Sequence, residues 1–516
     1  MGECSWNREV ERWDVWEIAC KGRADGNPFV DWDIWGTFSS KSERKAVRGF
    51  YDGDGVYRVR FMPSFDEVYE FEVRGTFSDE AVRGSFSVRP PSPGNHGPVR
   101  VANRHHFAYE DGTPHFSFGT TCYAWAMQPD GRIEETLRTL EGAPFNKLRF
   151  CVFPKHYDYN LSEPATYPYE GTPVDSSGLT SENFSQYTGR TEGNRWDFTR
   201  FNPAHFRRLE ACVLRLRDLG IEADLIGMHP YDRWGFSRMT PAQDDLYWRY
   251  LVARFAAFRN VWWSLANEYD LMPQKSIADW ERFARILCEE DPYGHLRSIH
   301  NCLPFYDHTR PWITHASIQR QDLYRTTEYV DEWRVRYGKP VVCDEIAYEG
   351  DIQHGWGNIS PEELTRRFWE AVLRGGYAGH GETYLHESGV LWWSHGGALR
   401  GESPARIAFL RKAVEELPGG LRPWPGSFDE TCAVLEGPQA LAGGAPPLYL
   451  YYYGFGRPSF RDFFIDEATA YRAEILDTWN MTATDAGVHR GRFRLKLPGR
   501  PYMAVRLRAV EAGKDE

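Results

Sequence analysis

Two hydrophobic periods divide the chain. Over residues 1–98, "GVYRVRFMP", "EVYEFEVRGTF" and "GSFSVRP" alternate apolar and polar positions with a period of two. That is the pattern of strands with one buried face. "YDGDGVY" between such runs is a hairpin signal. No helical period interrupts them, so this segment predicts an antiparallel, Ig-like β-sandwich, ending at the Pro/Gly-rich "RPPSPGNHGP". From 99 to about 420, apolar runs alternate instead with helical patterns. The strand candidates are "HFSFGTT", "NKLRFCVF", "IEADLIGMH", "NVWWSLANE", "LRSIHN", "PWITHAS", "KPVVCDE" and "GGYAGHGETY". Between them lie helices with start signals. Asn202 caps one that has Pro203 in its first turn, Phe206, Leu209, Val213 and Leu216 on one face, and Gly220 at its end. "TPAQ" at 240–243 and "SPEE" at 360–363 read as capping boxes, and Ser403–Pro404 opens a further helix.

Eight β/α units over this length predict an α/β fold, a (β/α)8 TIM barrel at 99–420. A doubly wound open sheet would carry a Gly-rich phosphate loop after its first strand, and "FSFGTTCYAW" has none. Residues 421–516 return to strand patterns and predict a C-terminal β-sandwich domain.

Catalytic groups of such barrels stand where strands end. The strand interiors read as apolar and the tips as polar. The fourth candidate ends on Asn267 and Glu268, and the seventh on Asp344 and Glu345. The second carries Arg149. The third ends at His229 with Trp234 following, the fifth at His300 and Asn301, and the sixth near His315 and Gln319. The eighth supplies His380 and Glu382, with Trp392 and Trp393 beyond. Carboxylates on strands 4 and 7 face each other across a barrel mouth. Glycoside hydrolysis needs that pair: one carboxylic acid protonates the leaving oxygen, and the other carboxylate attacks the anomeric carbon or activates water. Attack, with retention, needs the carboxyls about 5–5.5 Å apart.

"LANE" and "VVCDE" resemble the strand-4 and strand-7 motifs of clan A glycoside hydrolases. "NVWWSLANEYD", "HPYDRWGF" and "RGGYAGHGETY", with the three-part layout, resemble a bacterial group of glycosidase-like proteins that have β-domains before and after the barrel. The resemblance implies Glu268 as acid/base, Glu345 as nucleophile, Asn267 on the sugar 2-hydroxyl, and Arg149 hydrogen-bonded to Glu345. It implies His315 as a neighbour of the nucleophile, and an equatorial-type linkage such as a β-D-glycoside or an α-L-arabinofuranoside.

Composition sharpens the picture in a few places. Aromatics make up 15% of the 516 residues, with 20 Trp; they suit a large core or stacking on sugar rings, for which Trp234, Trp356, Trp392 and Trp393 are candidates. A net charge of −12 argues against nucleic acid as partner. No apolar run reaches the roughly 18 residues of a membrane span. The charged start "MGECSWNREVERW" lacks a signal segment, so a cytoplasmic location is expected, or a periplasmic or secreted one if a leader has been removed. The 9 Cys include no CxxC pair and are expected to be small buried hydrophobes rather than bridges. No HxH or HExxH spacing points to a metal, and no cofactor is expected. The expected partner is an oligo- or polysaccharide; a homo-oligomer is compatible with the composition. The long segment from Phe153 to Trp196 is expected to wall the mouth into a pocket, which favours exo action. Two rival readings are a non-catalytic carbohydrate-binding barrel and a metal-dependent hydrolase built on His229, His300, His315 and His380.

Overall fold

The computed structural model describes residues 4–320, 322–424, 429–436 and 446–510. At its centre are eight parallel strands: β1 (Phe118–Thr121), β2 (Lys147–Cys151), β3 (Glu222–Met228), β4 (Val261–Ala266), β5 (Arg297–Ser298), β6 (Ala316–Gln319), β7 (Val341–Glu345) and β8 (Tyr377–His380). They pair in the order 5-4-3-2-1-8-7-6, which closes the sheet into a barrel except between β5 and β6. That seam is bridged rather than laddered. The Thr314 N–H donates to the Arg297 carbonyl at 2.9 Å, and the Asn301 amide donates to the Gln319 carbonyl at 2.9 Å.

The surrounding helices are α1 (Asp130–Gly142), α2 (Pro203–Asp218), α3 (Pro241–Phe255), α4 (Ile277–Glu290), α5 (Val330–Tyr337), α6 (Pro361–Leu373) and α7 (Ser403–Glu415). No helix joins β5 to β6. Asn202 caps α2 by accepting from the Ala204 N–H, and the Thr240/Gln243 capping box opens α3. Ser360 caps α6, but the expected box is only half formed, because the Glu363 carboxylate turns away to Arg366 and Arg367.

Three expectations need correction. The sixth strand starts after the apolar "PWIT", so His315 precedes β6. It packs edge-on against Trp262 at 5.3 Å and Phe107 at 5.7 Å, away from the strand tips. The barrel interior is also not apolar. Lys147 on β2 donates to Asp224 on β3 at 2.8 Å and to Asp344 on β7 at 2.6 Å, all three being buried. Burial opposes the Asp344 charge, yet Lys147 and Arg149 outweigh it and hold this carboxyl well below the ordinary range. Asp344 is thus a lumen ion-pair partner beneath the mouth. Lastly, Cys4 and Cys20 are disulfide-bonded. They lie directly opposite one another on antiparallel strands, 4.2 Å apart at Cα, a proximity set by strand register that spacing in sequence does not reveal.

The N-terminal segment folds as a four-stranded and a five-stranded sheet whose inner faces meet. Phe38 stacks on Phe61 at 4.1 Å and Trp16 on Phe86 at 4.5 Å across the interface. This sandwich is fastened to the barrel by a buried charge network. Arg254 of α3 donates to Asp52 at 2.9 Å and to Glu210 of α2, while Arg60 donates to Glu210 at 3.0 Å and to the Arg254 carbonyl at 2.8 Å. After the barrel come a six-stranded antiparallel sheet and a two-stranded ribbon, Phe460–Phe464 with Arg492–Lys496. The sheet packs on α6 through Tyr452 and Trp369, with ring centres 5.3 Å apart.

Candidate functional site

A cavity of about 270 Å³ opens at the C-terminal ends of the barrel strands. Asn267 and Glu268 reach it directly after β4, Glu345 from the end of β7, and Gln319 from the end of β6. Gln319 and Glu345 are register partners on neighbouring strands. Glu268 has φ +48°, a left-handed conformation costly for a residue with a Cβ. Such strain persists only where the surroundings enforce it. Here β4 ends, and the chain turns sharply into the short helical turn Tyr269–Leu271.

Each carboxylate has its own set of donors. Glu268 accepts from the Tyr231 hydroxyl, from Gln319 Nε2 at 2.6 Å and from Asn267 Nδ2 at 3.4 Å. Glu345 accepts from the Tyr123 hydroxyl, with Arg149 Nη1 at 3.6 Å. Arg149 hydrogen-bonds not Glu345 but Asn267 Oδ1, at 2.6 Å, and more weakly the Tyr123 oxygen, at 3.4 Å. The guanidinium therefore fixes Asn267 and acts on Glu345 by charge. Burial pushes the Glu345 carboxyl up to about 7, and the negative charge of Glu268 adds to the rise; Arg149, the Tyr123 hydrogen bond and Lys155 oppose it without cancelling it.

Lys155, from the loop after β2, is the cation of the wall. Its ammonium lies 3.6 Å from the Tyr123 ring centre, 4.2 Å from Tyr231 and 4.4 Å from Trp393. Burial lowers it to about 8, although the nearby carboxylates favour its charged form. Tyr157, Tyr348, Trp356, Leu271 and Cys302 complete the wall. The long β2–α2 segment thus contributes Lys155 and Tyr157 to the mouth.

The remaining sequence candidates stand outside that wall. His229 is buried next to it with Nε2 3.2 Å from the Phe153 carbonyl, and burial lowers the ring to about 4. His300 lies in the lumen, where burial and Arg149 hold it neutral, well below the ordinary histidine range. Trp234 is buried under the β2–α2 segment, its carbonyl accepting from Trp196 Nε1 at 2.9 Å. Trp392 donates from Nε1 to Thr120 Oγ1 at 2.9 Å, whereas its neighbour Trp393 faces the cavity. His380 lies 2.9 Å from the same Thr120 oxygen, stacks on Phe145 at 4.6 Å, and is lowered by burial to about 3. Glu382 accepts from the Arg400 and Gly401 N–H groups, both at 2.7 Å.

Sequence reasoning passed over Tyr123, Lys155, Tyr157, Tyr231 and Tyr348. Tyr123 follows β1 by two residues, and Tyr231 lies in "HPYDRWG"; their place beyond strand ends was the available signal. An isolated Tyr in a loop otherwise reads as packing.

A nearly closed parallel barrel with two carboxylates from the ends of β4 and β7 lining one cavity at its mouth is the architecture of the glycoside hydrolase (β/α)8 barrels. Residues 101–424 match the apiosidase-like catalytic domain, and the chain belongs to that family. Residues 9–76 match the domain of unknown function DUF5060, and residues 438–508 match the domain of unknown function DUF5605. A candidate glycoside hydrolase structure from Bacteroides vulgatus ATCC 8482 is 36% identical, with a TM-score of 0.89 over 98% of this chain and 100% of its own. A candidate alpha-galactosidase from Bacteroides fragilis NCTC 9343 is 10% identical over 99% of this chain and 98% of its own, with a TM-score of 0.43. The endo-beta-1,4-mannanase of Thermotoga petrophila is 12% identical over 77% of this chain and 96% of its own, with a TM-score of 0.38. Neither of the last two likenesses bears on this chain's reaction. No curated protein matches the chain significantly.

Proposed function

We propose that the protein is a retaining, exo-acting glycosidase that removes one terminal sugar from an oligo- or polysaccharide. The observation that carries this reading is the pair Glu268 and Glu345 lining one small cavity. At about 270 Å³ it falls just below the usual range of ligand pockets, roughly 300–1,000 Å³, and suits a single ring better than a run of them. The family takes its name from release of apiose, a branched pentose that closes as a furanose. A pentofuranoside of that kind, or the α-L-arabinofuranoside its shape resembles, is the substrate class we favour over a β-D-hexopyranoside.

In this mechanism Glu268 protonates the leaving oxygen while Glu345 attacks the anomeric carbon. Glu268 then takes a proton from water as that water displaces Glu345 from the glycosyl-enzyme. Asn267, held by Arg149, is oriented to meet the 2-hydroxyl. Arg149 and Tyr123 stabilise the Glu345 carboxylate when it leaves the sugar. Trp393 and Trp356 offer faces for the ring or the leaving group. The Cys4–Cys20 disulfide favours action in an oxidising compartment rather than the cytoplasm.

The test is a panel of aryl apiofuranosides, arabinofuranosides and hexopyranosides, with the first-formed anomer read by NMR. Release of the retained anomer from a furanoside is expected. Release of the inverted anomer would replace attack by Glu345 with base-assisted attack of water.

A further inference from the structure

Three buried side chains outside the cavity wall have no part in the proposed reaction. Glu349 follows β7, His380 ends β8 and Glu382 lies just beyond it; each is at most 1% exposed. A two-residue parallel bridge sets Glu349 opposite Glu382. One donor atom from each of the three lies within 4.8 Å of the others. Among the described residues neither carboxylate is ion-paired with Lys or Arg, in contrast to the lumen pair of Asp344 with Lys147.

Two polar atoms of this cluster are buried without a hydrogen-bond partner: His380 Nε2 and Glu349 Oε1. An unpaired buried polar atom is costly, and two in one cluster call for a common partner. The other His380 nitrogen, Nδ1, is 2.9 Å from Thr120 Oγ1. With Nδ1–H donating there, Nε2 presents a lone pair, which is how ligating histidines are held by an outer partner. Glu382 is fixed by the Arg400 and Gly401 N–H groups, and Glu349 Oε2 lies 3.3 Å from the Ser403 N–H at the start of α7. A Cβ at Gly401 would overlap the Glu349 carboxylate, so the backbone closes directly over the group.

We propose that Glu349, His380 and Glu382 bind one divalent first-row transition cation, Zn²⁺ or Mn²⁺, which ties the loops after β7 and β8 to the start of α7. Two carboxylates and an imidazole around one point suit these ions, with waters or backbone oxygens filling the remaining positions. Mg²⁺ and Ca²⁺ take oxygen ligands and would leave Nε2 unused. The ion would neutralise the paired carboxylates and occupy the two unpartnered atoms together. Its role is structural, since it lies outside the cavity and brings no group to the sugar.

The alternative within the same geometry is a carboxyl pair sharing one proton, and the experiment separates the two. The full-length protein is stripped with dipicolinate and titrated with ZnCl2 or MnCl2 by calorimetry, with Tm followed in parallel. One equivalent is expected to bind and to raise Tm. Glu349→Gln and His380→Ala should each weaken binding by more than the roughly 10–100-fold typical of losing an outer orienting partner. Their Tm values should no longer respond to metal. Glu345→Gln, which keeps all three donors, should bind as the wild type does. Zinc-edge X-ray absorption should show one nitrogen among oxygen ligands. Wild-type protein that binds neither ion would overturn the proposal, as would variants that bind as tightly as wild type. Metal-independent stabilisation by Glu349→Gln would identify the shared proton instead. None of these readouts depends on glycosidase activity.

Discussion

Gln319 donates its side-chain amide to Glu268 at 2.6 Å, although its register partner across β6 and β7 is Glu345. The strand that borders one carboxylate thus holds the other. Glu268 has no comparable support from its own strand, since its backbone has already left β4 in a left-handed turn. A rigid neighbour on β6 compensates for a strained position on β4.

Exchanging the two carboxylates separates their roles. Glu345→Gln should abolish turnover of every glycoside. Glu268→Gln should cost about 10²–10⁴-fold on natural substrates, the usual worth of general acid catalysis. It should cost far less on dinitrophenyl glycosides, whose leaving group needs no proton. Azide should restore Glu268→Gln as a glycosyl azide of retained configuration. Equal losses on both substrate types would refute the acid/base assignment.

The acidic limb of the pH profile should follow Glu345. In the proposed role of nucleophile Glu345 must be ionised, and this carboxyl is raised to about 7, so kcat/KM should climb as pH rises through that value. The Tyr123 hydroxyl donates to the charged form, so Tyr123→Phe should move the limb to higher pH. It should also lower kcat by roughly 10–100-fold, the worth of a hydrogen bond to a charged group. Lys155→Met removes a nearby positive charge and should shift the limb in the same direction. An unmoved limb in both variants would separate the profile from Glu345.

The same shift acts on stability with the opposite sense. Between its ordinary value near 4.5 and its folded value near 7, Glu345 binds more protons in the native state than in the unfolded one. Its contribution therefore falls as pH rises through that window. Glu345→Gln removes the buried charge and should raise Tm at pH 8 more than at pH 5. Differential scanning calorimetry at the two pH values checks the sign.

Asp52 and Arg254 join the N-terminal sandwich to α3 with both groups buried, at 2% and 0% side-chain exposure. Asp52→Ala leaves the guanidinium without that partner and should destabilise the protein by about 3–5 kcal/mol. Urea unfolding of the variant measures it. A loss near 1 kcal/mol would show that Glu210 and the Tyr250 hydroxyl suffice for Arg254.

Thiol titration of the denatured, unreduced chain should count seven, since Cys4 and Cys20 are bridged among nine cysteines. Reduction should cost about 3 kcal/mol, the worth of closing a loop of this length. A count of nine would show that Cys4 and Cys20 are not bridged.

The eight parallel strands and the polar residues at the tips of β4 and β7 were legible in the sequence. A strand buried on both faces reads as a mostly apolar run, and where no lumen charge interrupts it the break in that run marks its end. Asn267 and Glu268 after "VWWSLA" show this most clearly. The N-terminal sandwich was legible too, because a strand with one wet face alternates. The start of β6 was not legible, because "PWIT" is apolar for packing reasons outside any ladder and so resembles a strand. Nor were the lumen charges, because Lys147, Asp224 and Asp344 are tolerated inside only when the barrel closes and makes them neighbours. Local pattern sets which residues form strands and where they stop, since burial and period act over a few residues. Closure alone decided that Tyr123, Lys155 and Tyr231 converge on the two carboxylates, and that His380 turns outward to Thr120 and the acidic pair instead of toward the mouth. Those contacts join residues dozens to hundreds of positions apart, which no local period encodes.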